Sequence, residues 1–203
     1  NVGYVGENDC YYPNIKIRKI LKMMSELYSN WDNETMEKYI NIFQLDIGKK
    51  VKELSTGMRV KLDLLMAMSH NAEIYILDEP TSGLDPVIRK ELLEILEHLA
   101  KDEEKTVIIS SHITSDLEKI ADRIIYIVSG KIELDDDIAS IRSEYVKVNV
   151  TDKNATCDLK GCLKIGDNII TTREIYENII DTRNGYYVEP ASLEDVLFYL
   201  GGY

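Results

Sequence analysis

Apolar residues recur at helical spacing through the first third of the chain. Between Tyr12 and His70, Ile15, Ile17, Ile20, Leu21 and Met24 form one stripe, and Met36, Tyr39, Ile40 and Phe43 form a second. Both stripes predict amphipathic helices. Asp32 or Asn33 suits the N-cap of the second helix, with Glu34 and Glu37 near its positive end. A third helix is expected to open after Gly57 and run to about His70. Its middle, Leu64-Leu-Met-Ala-Met68, is apolar on every side, which implies burial.

From Ala72 the rhythm changes to strand, helix, strand. Ile74-Tyr-Ile-Leu77 is a continuous apolar run, the pattern of a parallel strand covered on both faces. Asp85-Pro86 supplies an N-cap followed by proline at the first helical position, and Ile88, Leu92, Ile95, Leu96 and Leu99 give the helix its apolar face. Thr106 to Ser110 is the next strand, and Ser115-x-x-Glu118 reads as a capping box. Ile124–Val128, Ser129-Gly130 and Lys131–Leu134 read as a hairpin. After about Ser143 the character shifts. Val146, Val148 and Val150 alternate as in a half-exposed strand, Thr151 to Asn168 is polar and loop-rich, and helices are expected near 171–180 and 192–200.

Composition narrows the class. The 203 residues carry 24 Lys and Arg against 36 Asp and Glu, a formal net charge of −12, with 44% hydrophobic and 30% charged residues. These are values of a globular chain long enough to bury a core. The acidic balance, without a clustered basic surface, argues against nucleic-acid binding. No apolar run approaches the ~18–20 residues needed to cross a bilayer. Cys10, Cys157 and Cys162 are too few and too irregular for a disulfide framework or a zinc knuckle, which points to a reducing, cytosolic compartment. Asp135-Asp-Asp137 reads as a solvated helix start, and Arg59 and Lys61 as surface charges.

The residues that carry chemistry cluster between Leu54 and His112. An apolar strand ending in Asp78-Glu79 places two carboxylates at the carboxyl edge of a sheet, where α/β proteins bind ligands. The first is suited to hold Mg²⁺ through water, the second to orient or deprotonate an attacking water. Upstream, Leu54-Ser-Thr-Gly57-Met offers a hydroxyl and free N–H groups at the mouth of a helix, either an ordinary cap or an anion site. Thr81-Ser-Gly-Leu-Asp85 follows the acids directly. His112 follows the strand Val107–Ser110, at the same sheet edge as the acids.

In this order, these segments resemble the nucleotide-binding subunit of ABC transporters. Leu54-Ser-Thr-Gly-Met is similar to the family signature, Ile74–Glu79 to its Walker B strand and following glutamate, and Ser82-Gly-Leu-Asp85 to its D-loop. Ser111-His112 is similar to the switch histidine, and Val2-Gly-Tyr-Val-Gly-Glu7 to the strand entering the Q-loop. The stretch Ser110 to Asp122 resembles the bacterial exporter branch whose permeases are of the ABC-2 type. The resemblance spans residues 1–142. It implies an α/β fold: a partial P-loop NTPase core of mainly parallel strands, with an inserted helical subdomain at about 12–70. Residues 143–203 would be a small α+β accessory segment.

What the resemblance implies is specific. Asp78 would bind Mg²⁺ through water, with Glu7 at the Q-loop also facing the metal. Glu79 would polarise the attacking water and His112 would contact the γ-phosphate. Ser55 and Gly57 would close on ATP held by a second ATPase subunit, in a homo- or heterodimer with Asp85 at its interface. The other partner would be an ABC-2-type transmembrane permease, giving a cytoplasmic subunit peripheral on the inner face of the cell membrane. Three departures qualify this. Glu7 stands where many relatives have Gln and cannot donate as an amide does. Thr56 replaces the common second Gly. No G-x-x-x-x-G-K-[ST] occurs, so the phosphate cradle is missing. The expectation is a subunit truncated before its Q-loop, inactive by itself. The rival readings are a soluble ABC ATPase without a permease and a non-catalytic interaction module.

Overall fold

A computed structural model describes residues 1–6, 11–101, 103–150, 161–165, 168–179 and 186–201. The chain divides into two compact units, Asn1–His112 and Ile113–Tyr203. The boundary drawn from sequence, between 142 and 143, falls inside the second of these.

The first unit is built on a parallel sheet. It runs through β1 (Val2–Val5), α1 (Ile17–Leu27), α2 (Asn33–Ile42), a 3-10 turn at Val51–Glu53, α3 (Thr56–Ser69), β2 (Ile74–Asp78), α4 (Pro86–Lys101) and β3 (Thr106–Ser110). Strand order is β1-β2-β3, with Val2 opposite Ile74 and Asp78 opposite Ser110. Asp32 caps α2, accepting from the Glu34 N–H and the Thr35 hydroxyl. The Thr35 bond in particular holds its carboxyl below the usual range. α3 is buried all round from Leu64 through Met68, as its apolar middle requires. It packs so closely on β1 that a Cβ at Gly3 would stand 2.5 Å from the Ala67 Cβ, so only glycine admits this approach.

Among the described residues the strands of this sheet are covered on one face only, where the sequence led us to expect burial on both. Tyr75 and Leu77 are 1% exposed, whereas their neighbours Ile74 and Ile76 are 36% and 37% exposed. The open face continues across the sheet through Val2, Tyr4 and Ile108, all at least half exposed. A parallel sheet ordinarily buries both faces. An apolar run such as Ile74–Leu77 says that both faces avoid water but not whether both are covered.

The second unit contains α5 (Thr114–Ile120), β4 (Arg123–Val128), β5 (Lys131–Asp137), α6 (Ile138–Glu144), β6 (Tyr145–Val150), β7 (Cys162–Ile165), β8 (Asn168–Thr172), α7 (Arg173–Ile179), β9 (Tyr186–Pro190) and α8 (Leu193–Gly201). β4 and β5 form the expected hairpin, turning through Ser129 and Gly130 at φ 49° and 78°. A four-stranded antiparallel sheet, β7-β8-β6-β9, buries Val146 and Val148 completely. Sequence reading missed β7, β8 and β9, which lie in or beside stretches read as loop and helix. The capping box is also corrected. Ser115 lies inside α5, and the Glu118 carboxylate accepts instead from the Leu193 N–H at the start of α8. Asp135 and Asp137 belong to β5 and pair with Arg123, and Asp137 also stands at the N-cap of α6, so the acidic run ends a strand and leads into a helix start.

Candidate functional site

β2 and β3 run in parallel and end together, so their last residues share the carboxyl edge of the sheet. Asp78 closes β2 and Ser110 closes β3, directly opposite each other. The Ser110 hydroxyl donates to Asp78 Oδ1 at 2.6 Å and accepts from the Glu79 N–H at 3.0 Å. The same N–H also reaches the Ser110 carbonyl at 3.1 Å. Glu79 sits at φ 48°, in the left-handed region that a non-glycine residue enters at a cost of about 1 kcal/mol or more. The bend turns the chain out of the strand, and the Glu79 carbonyl then accepts from the Ser82 N–H at 3.1 Å. Its carboxylate is brought to His112, whose Nδ1 lies 2.8 Å from Glu79 Oε2.

The helix starts form a second group. Ser55 caps α3, its hydroxyl accepting from the Met58 N–H at 3.3 Å. The helix opens at Thr56, one residue before Gly57 and so earlier than the spacing predicts. Gly57 is buried in the first turn, where an added Cβ would meet Ile88 Cγ2 at 2.9 Å. Ile88 belongs to α4, whose N-terminus is capped by Asp85. The Asp85 carboxylate accepts from the Val87 and Ile88 N–H groups at 3.0 and 3.1 Å. Gly57 therefore lets the start of α3 press against the start of α4.

Of the residues singled out by sequence, the structure joins Asp78, Glu79 and His112 at one sheet edge. It joins Gly57 to the helix that Asp85 caps, with Ser55 at the same helix start. Glu7 lies outside the described residues. Lys61, read as a surface charge, is 7% exposed and ion-paired to Glu91 of α4 at 2.7 Å, with its ammonium 5.8 Å from the Phe43 ring centre. Its helical phase, four residues beyond the buried Gly57, was the available signal. Ser110 was missed as well. Only the parallel register, which sets it opposite Asp78, reveals its place.

Between β1, α1 and α3 lies an apolar cavity of about 400 Å³. Tyr4, Tyr11, Met23, Tyr28, Met66 and His70 line it, and the Tyr11 hydroxyl donates to Asp63 at 2.7 Å. His70 stacks on Tyr28 with ring centres 4.4 Å apart, and burial holds its imidazole below the ordinary pKa.

Comparison with known proteins finds homologues. The chain is 30% identical over 158 residues to the bacitracin transport ATP-binding protein BcrA of Bacillus licheniformis, covering 75% of this chain and 52% of that protein. It is 34% identical over 135 residues to the lantibiotic transport ATP-binding protein SrtF of Streptococcus pyogenes, covering 66% and 58%. The chain is a homologue of ABC transporter ATP-binding proteins. It spans about half the length of such curated relatives. The family described as "AAA domain, putative AbiEii toxin, Type IV TA system" matches residues 22–115. Among solved structures, the dimeric ATP-binding cassette MJ0796 bound to ADP and Pi aligns with a TM-score of 0.59 and 20% identity, over 68% of this chain and 62% of that one. The fold is thus that of the ABC ATPases, a P-loop NTPase architecture. No helix among the described residues is long and apolar enough to cross a membrane.

Proposed function

We propose that this ABC ATPase homologue supplies the acid, imidazole and signature residues of an ATP-hydrolysing transporter subunit that powers export through a separate ABC-2-type permease. The observation that carries the reading is the convergence of Asp78, Glu79 and His112 on one sheet edge. The donor set suits Mg²⁺. Among the described residues no three His, Cys, Asp or Glu side chains converge on one metal position, and Mg²⁺ in phosphoryl-transfer sites is held by one or two carboxylates, waters and the substrate's own phosphates. Asp78 is that carboxylate, with Glu7 as the second candidate. When bound, Mg²⁺ neutralises charge on the phosphates.

The chain's own residues then have separate tasks. Glu79 accepts a proton from the attacking water and aligns it on the γ-phosphorus. His112 keeps the Glu79 carboxylate in place and offers its other ring nitrogen to the γ-phosphate. Ser55 and the N-terminal amides of α3 present donors to ATP held by a second ATPase subunit, homo- or heteromeric, with Asp85 shaping the contact. The open apolar face of β1, β2 and β3 supports a further element: a segment carrying the phosphate loop absent from this sequence packs there. Without it the 203 residues bind ATP weakly and do not turn it over. The Tyr- and Met-lined cavity beside α1 receives the permease. Residues 1–142 are assigned to the ATPase domain and 143–203 to an accessory segment, in a cytoplasmic subunit that meets the membrane only through the permease. Nucleic acid is not a partner.

The test is steady-state Mg-ATP turnover by the native protein, beside its Glu79→Gln variant. Loss of turnover by a factor of about 100 or more in the variant is expected. Equal rates would leave the interaction-module reading in its place. Co-purification of a single membrane subunit with the native protein tests the transport role and excludes an ATPase without a permease.

A further inference from the structure

We propose that Ser110 is a positioning residue that sets Asp78 and Glu79 as a pair through a single hydroxyl. This rests on the ATPase reading above and extends it to a side chain that has no contact with substrate in that reading.

Ser110 stands opposite Asp78 at the last position of the β2–β3 ladder. Its hydroxyl has one proton and two lone pairs. The proton goes to Asp78 Oδ1, at a distance characteristic of a charge-assisted bond, and a lone pair accepts from the Glu79 N–H. The two bonds therefore have consistent polarity only with a hydroxyl between them. One consequence concerns Asp78: with Oδ1 committed to Ser110, the carboxylate is fixed in rotation. Its other oxygen has no hydrogen-bond partner among the described residues and remains available to the water shell of a metal. The second consequence concerns Glu79. Its left-handed backbone is held at the N–H by both the hydroxyl and the carbonyl of Ser110, and this bend aims its carboxylate at His112.

The chain thus grips both acids from one segment. Ser110 fixes the carboxylate of the first acid and the backbone of the second. His112, two residues on, holds the carboxylate of the second. A displacement at the end of β3 would move the metal ligand and the water-orienting group together.

The experiment compares Ser110→Ala and Ser110→Thr in the native protein, by steady-state turnover at varied ATP and varied Mg²⁺, with Glu79→Gln measured in parallel. Alanine removes donor and acceptor. Threonine keeps both, and its branched Cβ suits a strand. We expect Ser110→Ala to lower kcat about tenfold or more and to raise the Mg²⁺ concentration at half-maximal rate, with KM for ATP changed less than about twofold. Ser110→Thr should return kcat to within about threefold of the parent. A parental kcat in Ser110→Ala overturns the proposal, and so does an equal loss in Ser110→Thr, which would mark a purely steric role. If Glu79→Gln abolishes turnover while Ser110→Ala does not, only the role of Ser110 fails. If Glu79→Gln changes nothing, or the native protein has no turnover, the ATPase reading fails and takes this proposal with it.

Discussion

His112 Nδ1 lies 2.8 Å from Glu79 Oε2, linking the end of β3 to the residue after β2. The two side chains differ in exposure: that of His112 is 69% exposed, that of Glu79 only 27%. Removing the imidazole therefore costs little packing while releasing the carboxylate from its only side-chain partner among the described residues. His112→Ala should lower Mg-ATP turnover of the native protein about a hundredfold. Its thermal midpoint should stay within about 2 °C of the parent, because exposed substitutions seldom exceed about 0.5 kcal/mol. A rate loss matched by unfolding would contradict this division of labour.

Gly57 tests how α3 meets α4. Alanine at a helical position gains about 1 kcal/mol over glycine from propensity. Here its Cβ would stand 2.9 Å from Ile88 Cγ2, a branch on a side chain that is stiff at χ1. Overpacking of this kind costs about 1–3 kcal/mol, so Gly57→Ala should be net destabilising in urea unfolding. Adding Ile88→Ala should recover more stability than the sum of the two single changes predicts.

The Lys61–Glu91 pair gives a second link between the same helices. Lys61 is the buried member, its side chain 9% exposed against 34% for Glu91. Glu91→Ala leaves an ammonium without its counter-ion next to Phe43 and should cost about 1–3 kcal/mol, below the full range for buried pairs because Glu91 keeps solvent contact. Lys61→Met in the Glu91→Ala background should restore much of that loss. Urea midpoints of the four proteins in the double-mutant cycle measure the coupling.

His70 makes stability depend on pH in a defined direction. Burial depresses its folded pKa below the ordinary 6.5, so the unfolded chain binds the proton first. This contribution is complete above pH 6.5 and is lost as pH falls from there through the depressed folded value. His70→Phe keeps a ring against Tyr28 and removes the titration. Between about pH 7 and pH 5 the urea midpoint of the parent should fall more than that of the variant. Parallel curves would show that another group is responsible.

Much of the first unit, and the hairpin of the second, was legible in the sequence because the signals are local. Asp32 and Asp85 announce their helices through side chains that cap N–H groups two or three residues away, and both caps are found. The run from Leu64 to Met68 declares burial because no face is polar. The hairpin at Ser129-Gly130 is specified by two residues that accept a left-handed backbone. The acids Asp78 and Glu79 were found in the same way, from a strand that ends in charge.

Tertiary structure decided what depends on residues far apart in the chain. Ser110 and Asp78 are separated by 32 positions and meet only because β2 and β3 pair in one register. Lys61 looks like any surface lysine until α4 brings Glu91 to it, 30 positions later. Ser115-x-x-Glu118 satisfies a local capping rule, yet Glu118 serves α8, because a distant helix start offered its N–H in a better place. Local sequence fixes hydrogen bonds within a turn or two of the backbone. Which strand lies beside which, and which face is left open, follows from packing that no short stretch of residues encodes.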